Sequence, residues 1–193
     1  MESLQRLLNE LTCGNETRAE AAVSQLIQFG EEAIPALLEL SRSADVDARW
    51  WAVRVLAQMP HASQRTERLI LFLSDPAPEV RQCAALGLGL GADESAIPPL
   101  IRALSDEDTM VCSLAANALV KIGSAAVPSL IETVKGGAPS ARIHALRALA
   151  EIRDHRAIPV MMQVMQEGSA LLEHWAKEGL ERLGLDMVYI KPL

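Results

Sequence analysis

Residues 94–123 read ESAIPPLIRALSDEDTMVCSLAANALVKIG, and the pattern of this stretch returns along almost the whole chain. An Ile-Pro pair lies near the start of an apolar first half, and the polar link SDEDT separates it from an alanine-rich second half. Proline is favoured in the first turn of a helix, because the N–H that it lacks would have no partner there. The stretch therefore predicts two helices joined by a short turn.

Two landmarks repeat along the chain with a period of 30 to 32 residues. In the first helix the landmark is a pair of bulky apolar residues: Leu7-Leu8, Leu37-Leu38, Leu69-Ile70, Leu100-Ile101, Leu130-Ile131 and Met161-Met162. In the second helix it is an alanine followed four positions later by a leucine, which places both side chains on one face. These framework pairs are Ala22/Leu26, Ala52/Leu56, Ala84/Leu88, Ala115/Leu119, Ala145/Leu149 and Ala176/Leu180.

The period predicts an all-α domain over residues 1–184, built from about six stacked hairpins. A hairpin of this length cannot bury its apolar face alone, so neighbouring hairpins must pack together. The approximate limits of the hairpins are 1–30, 31–62, 63–93, 94–123, 124–154 and 155–184. We expect the tail, residues 185–193, to cap the last hairpin or to dock on another chain.

Composition and charge limit the classes of function. The net charge of −7 argues against nucleic acid as a partner, because phosphates are usually neutralised by basic surfaces. No apolar run approaches the roughly 20 residues that span a bilayer, and the first residues lack a signal-peptide pattern. We therefore expect a soluble, cytoplasmic protein without membrane insertion.

The three cysteines show no pattern of a metal or disulfide site. Cys13, Cys83 and Cys112 form no CxxC pair and are odd in number, so we expect buried or half-buried reduced thiols. A redox or covalent role for Cys83 and Cys112 is the alternative.

The segments AIPPLIRALSDEDTMVCSLAANALVKIG and SDPAPEVRQCAALGLGLG resemble HEAT-like repeats of the phycobilisome-lyase type. The resemblance covers almost the whole chain and implies a right-handed α-solenoid whose second helices line a concave surface. Proteins with similar repeats include bilin lyase subunits, deoxyhypusine hydroxylase and adaptors without chemistry of their own. Fold alone does not choose among these functions.

Ten residues are candidates for binding, because they flank the framework alanines where the second helices would face the concave surface. They are Trp50, Trp51, Arg54, Gln82, Leu86, Asn117, His144, Arg147, His174 and Trp175, and they include all three tryptophans of the chain.

Several of these residues also have a structural interpretation. Trp51 is expected to pack against the neighbouring hairpin, Trp175 to cover the open end of the core, and His144 to be a structural histidine with satisfied hydrogen bonds. Arg54 and Arg147 depart from the repeat, so we expect them to carry specificity that the scaffold does not need.

Three other arginines recur with the repeat: Arg49, Arg81 and Arg142. Because they recur, we expect them to tie neighbouring turns together through Asp47, Asp75 or carbonyls at helix ends.

The leading functional hypothesis is a non-catalytic scaffold that binds a protein partner or peptide in the groove, with no metal or cofactor. The alternative, implied by the resemblance, is a lyase-like protein that binds a phycobilin and acts on a phycobiliprotein, paired with a second lyase subunit. An iron oxygenase like deoxyhypusine hydroxylase is disfavoured, because no histidine of this chain is followed by glutamate.

Overall fold

The computed structural model describes residues 2–59 and 64–185, and every regular element within them is helical. Twelve α-helices lie in this described part: α1 (Glu2–Leu11), α2 (Glu16–Phe29), α3 (Ile34–Leu40), α4 (Val46–Gln58), α5 (Arg65–Phe72), α6 (Pro78–Gly91), α7 (Ile97–Ala103), α8 (Thr109–Ile122), α9 (Val127–Gly136), α10 (Pro139–Ile152), α11 (Ile158–Val164) and α12 (Ala170–Arg182). The predicted all-α class is confirmed. Of the predicted cap, residues 186–193 lie outside the described residues.

Prolines and capping side chains explain where the helices begin. A proline is the second residue of α3, α7, α9 and α11, as the sequence pattern predicts. Asn15, Asp45 and Asp108 precede α2, α4 and α8, and each accepts a hydrogen bond from a backbone N–H of the first turn. Such a bond satisfies a donor that has no partner inside the helix.

Contacts between Cα atoms divide the chain into two compact units, unit 1 (Met1–Ala96) and unit 2 (Ile97–Leu193). In unit 1, the second helices of the hairpins stack, because α4 packs against both α2 and α6. In unit 2, α10 packs in the same way against α8 and α12, while the first helices α7, α9 and α11 pack beside one another. Stacked hairpins of this kind define an α-solenoid.

The framework alanines and leucines form the core of both units. All twelve of them are at most 2% exposed. Alanine at the contact between helices lets the backbones approach closely, while burial of a leucine contributes about 1.5–3 kcal/mol. None of the helices in the described ranges is long and apolar enough to cross a membrane.

Gly87 lies at a point of close approach between α6 and α4. A Cβ atom at this position would lie 2.6 Å from Cβ of Ala57 and 3.1 Å from Cδ1 of Leu69. The glycine-rich end of α6 is therefore used for close packing, and the helix continues to Gly91.

Arg49 joins the second hairpin to the third. Its Nε and Nη2 donate to the two carboxylate oxygens of Asp75, each at 3.0 Å, and the Arg49 and Asp75 side chains are only 11% and 8% exposed. Its Nη1 donates to the carbonyl oxygen of Ser43 at 3.0 Å. The predicted structural role of this recurring arginine is confirmed.

Arg81, Cys112 and Arg142 occupy the repeat position of Arg49, and each donates a hydrogen bond to a backbone carbonyl oxygen. Nη1 of Arg81 donates to the carbonyl oxygen of Asp75 at 3.0 Å, and Sγ of Cys112 lies 3.3 Å from the carbonyl oxygen of Asp106. Arg142 donates to the carbonyl oxygen of Val134 and forms an ion pair with Glu167. This position therefore holds the turns between helices in place.

Candidate functional site

In unit 1 the candidate residues of α4 form a compact aromatic and cationic group. The rings of Trp50 and Trp51 meet edge to face, with centroids 4.8 Å apart and planes at 81°. The guanidinium carbon of Arg54 lies 5.2 Å from the Trp50 ring centroid and 5.9 Å from that of Trp51. A cation at this distance is attracted to the electron-rich ring faces, so α4 positions an arginine over two aromatic side chains.

The packing of the two tryptophans differs. Trp51 is half-buried and contacts the core cluster that includes Leu26 and Leu56, as predicted. Trp50 is also half-buried, and Arg54 lies over its ring. The pair is therefore held at the surface by the core on one side and by Arg54 on the other.

Arg54 also lines a cleft of about 260 Å³ between α4 and α6. The cleft is lined by Arg54, Ala57, Gln58, Cys83, Leu86, Gly87 and Leu90. Leu86 and Leu90 lie four residues apart on α6 and are 52% and 63% exposed, so they form an apolar rim. Gln82, one turn before Leu86, is half-buried. We call Trp50, Trp51, Arg54, Cys83 and Leu86 the tryptophan site.

Burial raises the pKa of the two buried thiols of this chain. Burial raises the pKa of Cys83 to about 12, although the nearby charge of Arg54 acts in the opposite direction. Burial also raises the pKa of Cys112. Because the thiolate is the reactive form, burial disfavours nucleophilic chemistry at both residues, and a redox role for them stays a prediction. Cys13 is exposed, contrary to expectation.

In unit 2 the candidate residues of α8 and α10 form a polar group. Nη2 of Arg147 donates to Oδ1 of Asn117 at 2.8 Å and to the carbonyl oxygen of Ser113 at 3.2 Å. Its Nε lies 4.0 Å from a carboxylate oxygen of Glu151, one turn further along α10. Arg147 thus connects α10 to α8, and we call Asn117, His144 and Arg147 the histidine site.

His144 lies one turn before Arg147 on α10 and is half-buried. Burial lowers its pKa, and the charge of Arg147 lowers it further, so the imidazole is neutral at physiological pH. Its Nδ1 is buried and has no hydrogen-bond partner among residues 2–59 and 64–185. The expectation that His144 is a satisfied structural histidine is therefore wrong.

The last pair of candidate residues lies on α12. His174 is exposed and meets the half-buried Trp175 edge to face, with ring centroids 5.2 Å apart. His174 also lies 3.6 Å from Glu178, which forms an ion pair with Arg182. No hydrogen bond or ion pair joins His174 or Trp175 to Arg147 within the described part of the chain.

Arg54 and Arg147 correct one inference from the sequence. Each follows its framework alanine by two residues, and each reaches back to the preceding second helix of its own unit. Arg54 binds Glu20 of α2 at 2.5 Å, whereas Arg147 binds Asn117 of α8. The expectation that the scaffold does not need these arginines is wrong, because both bridge helices.

Sequence reasoning missed three residues of these groups. Glu20 is the acidic partner of Arg54 but lies 34 residues away, and Glu151 lies beside Arg147. Leu90 extends the exposed rim of α6. The spacing of 34 residues, close to one repeat, is a signal that could have pointed to Glu20. The described residues also contain no group of three or more His, Cys, Asp or Glu that could hold a metal ion.

The fold and the repeat frame agree with comparisons to known families. Residues 66–138 match the HEAT repeats family, and residues 141–167 match the PBS lyase HEAT-like repeat. The chain therefore contains HEAT-like repeats.

Among curated proteins, the chain is similar to phycocyanobilin lyase subunits. It is 35% identical over 85 residues to phycocyanobilin lyase subunit beta of Nostoc sp. (strain PCC 7120), which is 44% of this chain and 42% of that protein. It is 41% identical over 83 residues to the subunit of the same name from Pseudanabaena tenuis, covering 43% of this chain and 29% of that protein. The matched segments span less than half the length of these relatives.

Solved structures show the same fold. The complex of CpcE and CpcF of phycocyanin lyase from Nostoc sp. contains a chain that aligns with a TM-score of 0.60 and 24% identity, over 76% of this chain and 98% of that chain. An archaeal HEAT-like repeats protein from Thermococcus onnurineus aligns with a TM-score of 0.62 and 17% identity, over 93% of this chain and 80% of that chain. At these identities the likeness concerns the fold.

Proposed function

We propose that this HEAT-like repeat protein handles a bilin in the manner of a phycobilin lyase subunit, acts on a phycobiliprotein and works with a second subunit. The names of its curated relatives support this function better than the scaffold hypothesis. The structure of a two-component phycocyanin lyase with the same fold supports the paired assembly.

The observation that carries the proposal is the placement of Arg54 over Trp50 and Trp51, beside the cleft between α4 and α6. An open-chain tetrapyrrole offers flat conjugated rings and carboxylate side chains. Flat rings stack on tryptophan, and the positive charge of a guanidinium is attracted to their π-electron faces.

The size of the cleft limits how such a molecule would bind. Pockets that enclose a drug-sized ligand measure about 300–1,000 Å³, whereas this cleft measures about 260 Å³. It would therefore take one end of the tetrapyrrole, while the rest would lie against the exposed rim of Leu86 and Leu90. The raised pKa of Cys83 keeps the thiol protonated, so binding is proposed to be non-covalent.

The experiment is a titration of the purified protein with phycocyanobilin, followed by visible absorbance and tryptophan fluorescence. The expected result is a saturable absorbance change with quenching, about tenfold weaker in W50A and in R54Q, because each variant removes a principal contact. W175A is the matched control, since it removes a half-buried tryptophan of unit 2 and should leave the titration unchanged. An unchanged titration in W50A and R54Q would contradict the proposal.

The scaffold is retained as a second candidate function because of Leu86 and Leu90, whose exposure is typical of a protein-binding surface. The two functions predict different experimental results. A scaffold without bilin would bind purified apo-phycocyanin through these leucines, lose that binding in the double variant L86E/L90E, and give no absorbance change with phycocyanobilin.

A further inference from the structure

The histidine site differs from the tryptophan site in the balance of its charges. Arg54 contacts the carboxylate of Glu20 at 2.5 Å, so its charge is compensated. The contacts of Arg147 at hydrogen-bond distance are neutral, namely the Asn117 amide and the Ser113 carbonyl. Because the nearest carboxylate, that of Glu151, is 4.0 Å away, the guanidinium of Arg147 keeps an incompletely balanced charge.

The hydrogen-bonding capacity of this guanidinium is also only partly used. Both of its hydrogen bonds come from Nη2, and within the described ranges Nη1 has no acceptor. Its Nε is buried without a hydrogen-bond partner there, as is Nδ1 of the neighbouring His144. These two buried atoms are out of reach of an incoming group, whereas Nη1 is not among the buried atoms and can donate to one. A group with acceptor oxygens and negative charge would accept a hydrogen bond from Nη1 and balance the charge of Arg147.

We propose that the histidine site of unit 2 binds a carboxylate, held by Arg147 beside the ring of His144. A guanidinium and a carboxylate match in charge and in the spacing of donors and acceptors. Arg147 is already oriented by Asn117 and Ser113, so little side-chain freedom is lost on binding. The inference is independent of bilin binding at the tryptophan site, because it uses different residues in the other unit.

Glu151 acts as an internal competitor in this site. It lies one turn after Arg147 on the same helix, its side chain is 36% exposed, and its carboxylate is just beyond hydrogen-bond distance of Nε. An incoming carboxylate must share the field of Arg147 with this resident negative charge, which weakens binding. Removal of the Glu151 charge should therefore strengthen binding, an effect that damage to the fold would not produce.

The test follows the ¹⁵N and ¹H signals of the His144 ring during titration of the full chain with propionate, with propionamide as the uncharged control. H144Q assigns the signal among the four histidines of the chain. The expected result is a saturable shift with propionate alone. R147Q should weaken binding about tenfold or more, E151Q should strengthen it about two- to threefold, and R54Q should leave it unchanged.

The result that overturns the proposal is a His144 shift that fails to saturate, that persists in R147Q, or that propionamide reproduces. Two further probes distinguish the source of the carboxylate. An acidic peptide, acetyl-Ala-Glu-Ala-amide, represents a protein partner, and phycocyanobilin represents a pigment. Competition with propionate by either one supports the site and identifies its occupant. Failure of both to compete overturns the site as one for a biological carboxylate.

Discussion

Arg54 in unit 1 and Arg147 in unit 2 stand at the same position of the repeat, yet they form sites of different chemistry. Both follow the framework alanine of their helix by two residues, and both bridge to the preceding second helix. In unit 1 the bridge ends on a carboxylate and lies over two tryptophans. In unit 2 it ends on an amide and lies beside a neutral histidine.

We infer that the repeat fixes where a side chain lies, while the partner one repeat earlier decides what it can bind. Glu20 compensates Arg54 and leaves aromatic faces as the main binding feature of the tryptophan site. Asn117 orients Arg147 without neutralising it, so charge dominates the histidine site. The same frame can therefore present two kinds of ligand site in one chain.

The largest difference between the units is expected for the arginines that hold the turns. R49M should lower the free energy of unfolding by about 3 kcal/mol, because it leaves the carboxylate of Asp75 without its partner in a nearly buried place. R142M should cost only about 1 kcal/mol, because Glu167 is 32% exposed and water can replace the arginine. Urea denaturation of both variants measures these losses in the free energy of unfolding. Equal losses would show that burial does not set the strength of these pairs.

A smaller difference is expected for two glycines that follow their framework alanines by three residues. G87A should cost about 1–2 kcal/mol, since its Cβ would lie 2.6 Å from Cβ of Ala57, which cannot move without the backbone. G179A should cost less, because its closest contact, also at 2.6 Å, is the flexible end of Met161.

G91A provides the control for these two variants. The atoms nearest to its Cβ would be those of the flexible Arg65 side chain, and alanine favours a helix by about 1 kcal/mol over glycine. Thermal unfolding should therefore rank G87A below G179A and G179A below G91A. A more stable G87A would contradict the close packing of α4 against α6.

The smallest expected effect concerns two aspartates that begin corresponding turns, Asp93 in unit 1 and Asp154 in unit 2. Each accepts a backbone N–H bond at 2.9 Å, but Asp154 also accepts bonds from the Arg156 guanidinium, which lower its pKa to about 2. A lowered carboxyl pKa stabilises the fold above the unfolded value near 4, and this contribution is lost as pH falls towards 2.

D154N should therefore destabilise the protein slightly more than D93N at neutral pH. The difference in stability between D154N and the wild type should shrink as the pH falls from 4 to 2. Asparagine keeps the capping oxygen, so the variants isolate the charge. Thermal unfolding over this pH range measures the effect. A difference that grew on acidification would have the wrong sign for a lowered pKa.

Much of the fold could be predicted from the sequence because it depends on local spacing. The framework alanines and leucines, the prolines at helix starts and the structural role of Arg49 all follow from periodicity. The partners of Arg54 and Arg147 could not be predicted, because they depend on which side chains meet after the helices stack. The burial of Cys83 agrees with the expectation of a buried or half-buried thiol. Whether the ten candidate residues bind a ligand stays a prediction.

The double variant E20Q/N117D exchanges the partners of the two arginines and tests directly whether the partner one repeat earlier decides what each site binds. These substitutions remove the carboxylate beside Arg54 and place one beside Arg147 with little change in shape. Titration with propionate, followed by NMR, should no longer shift the His144 signal and should now shift the indole signals of Trp50 and Trp51. If the His144 signal still saturated as in the wild type and the indole signals stayed unchanged, the partner one repeat earlier would not decide what each site binds.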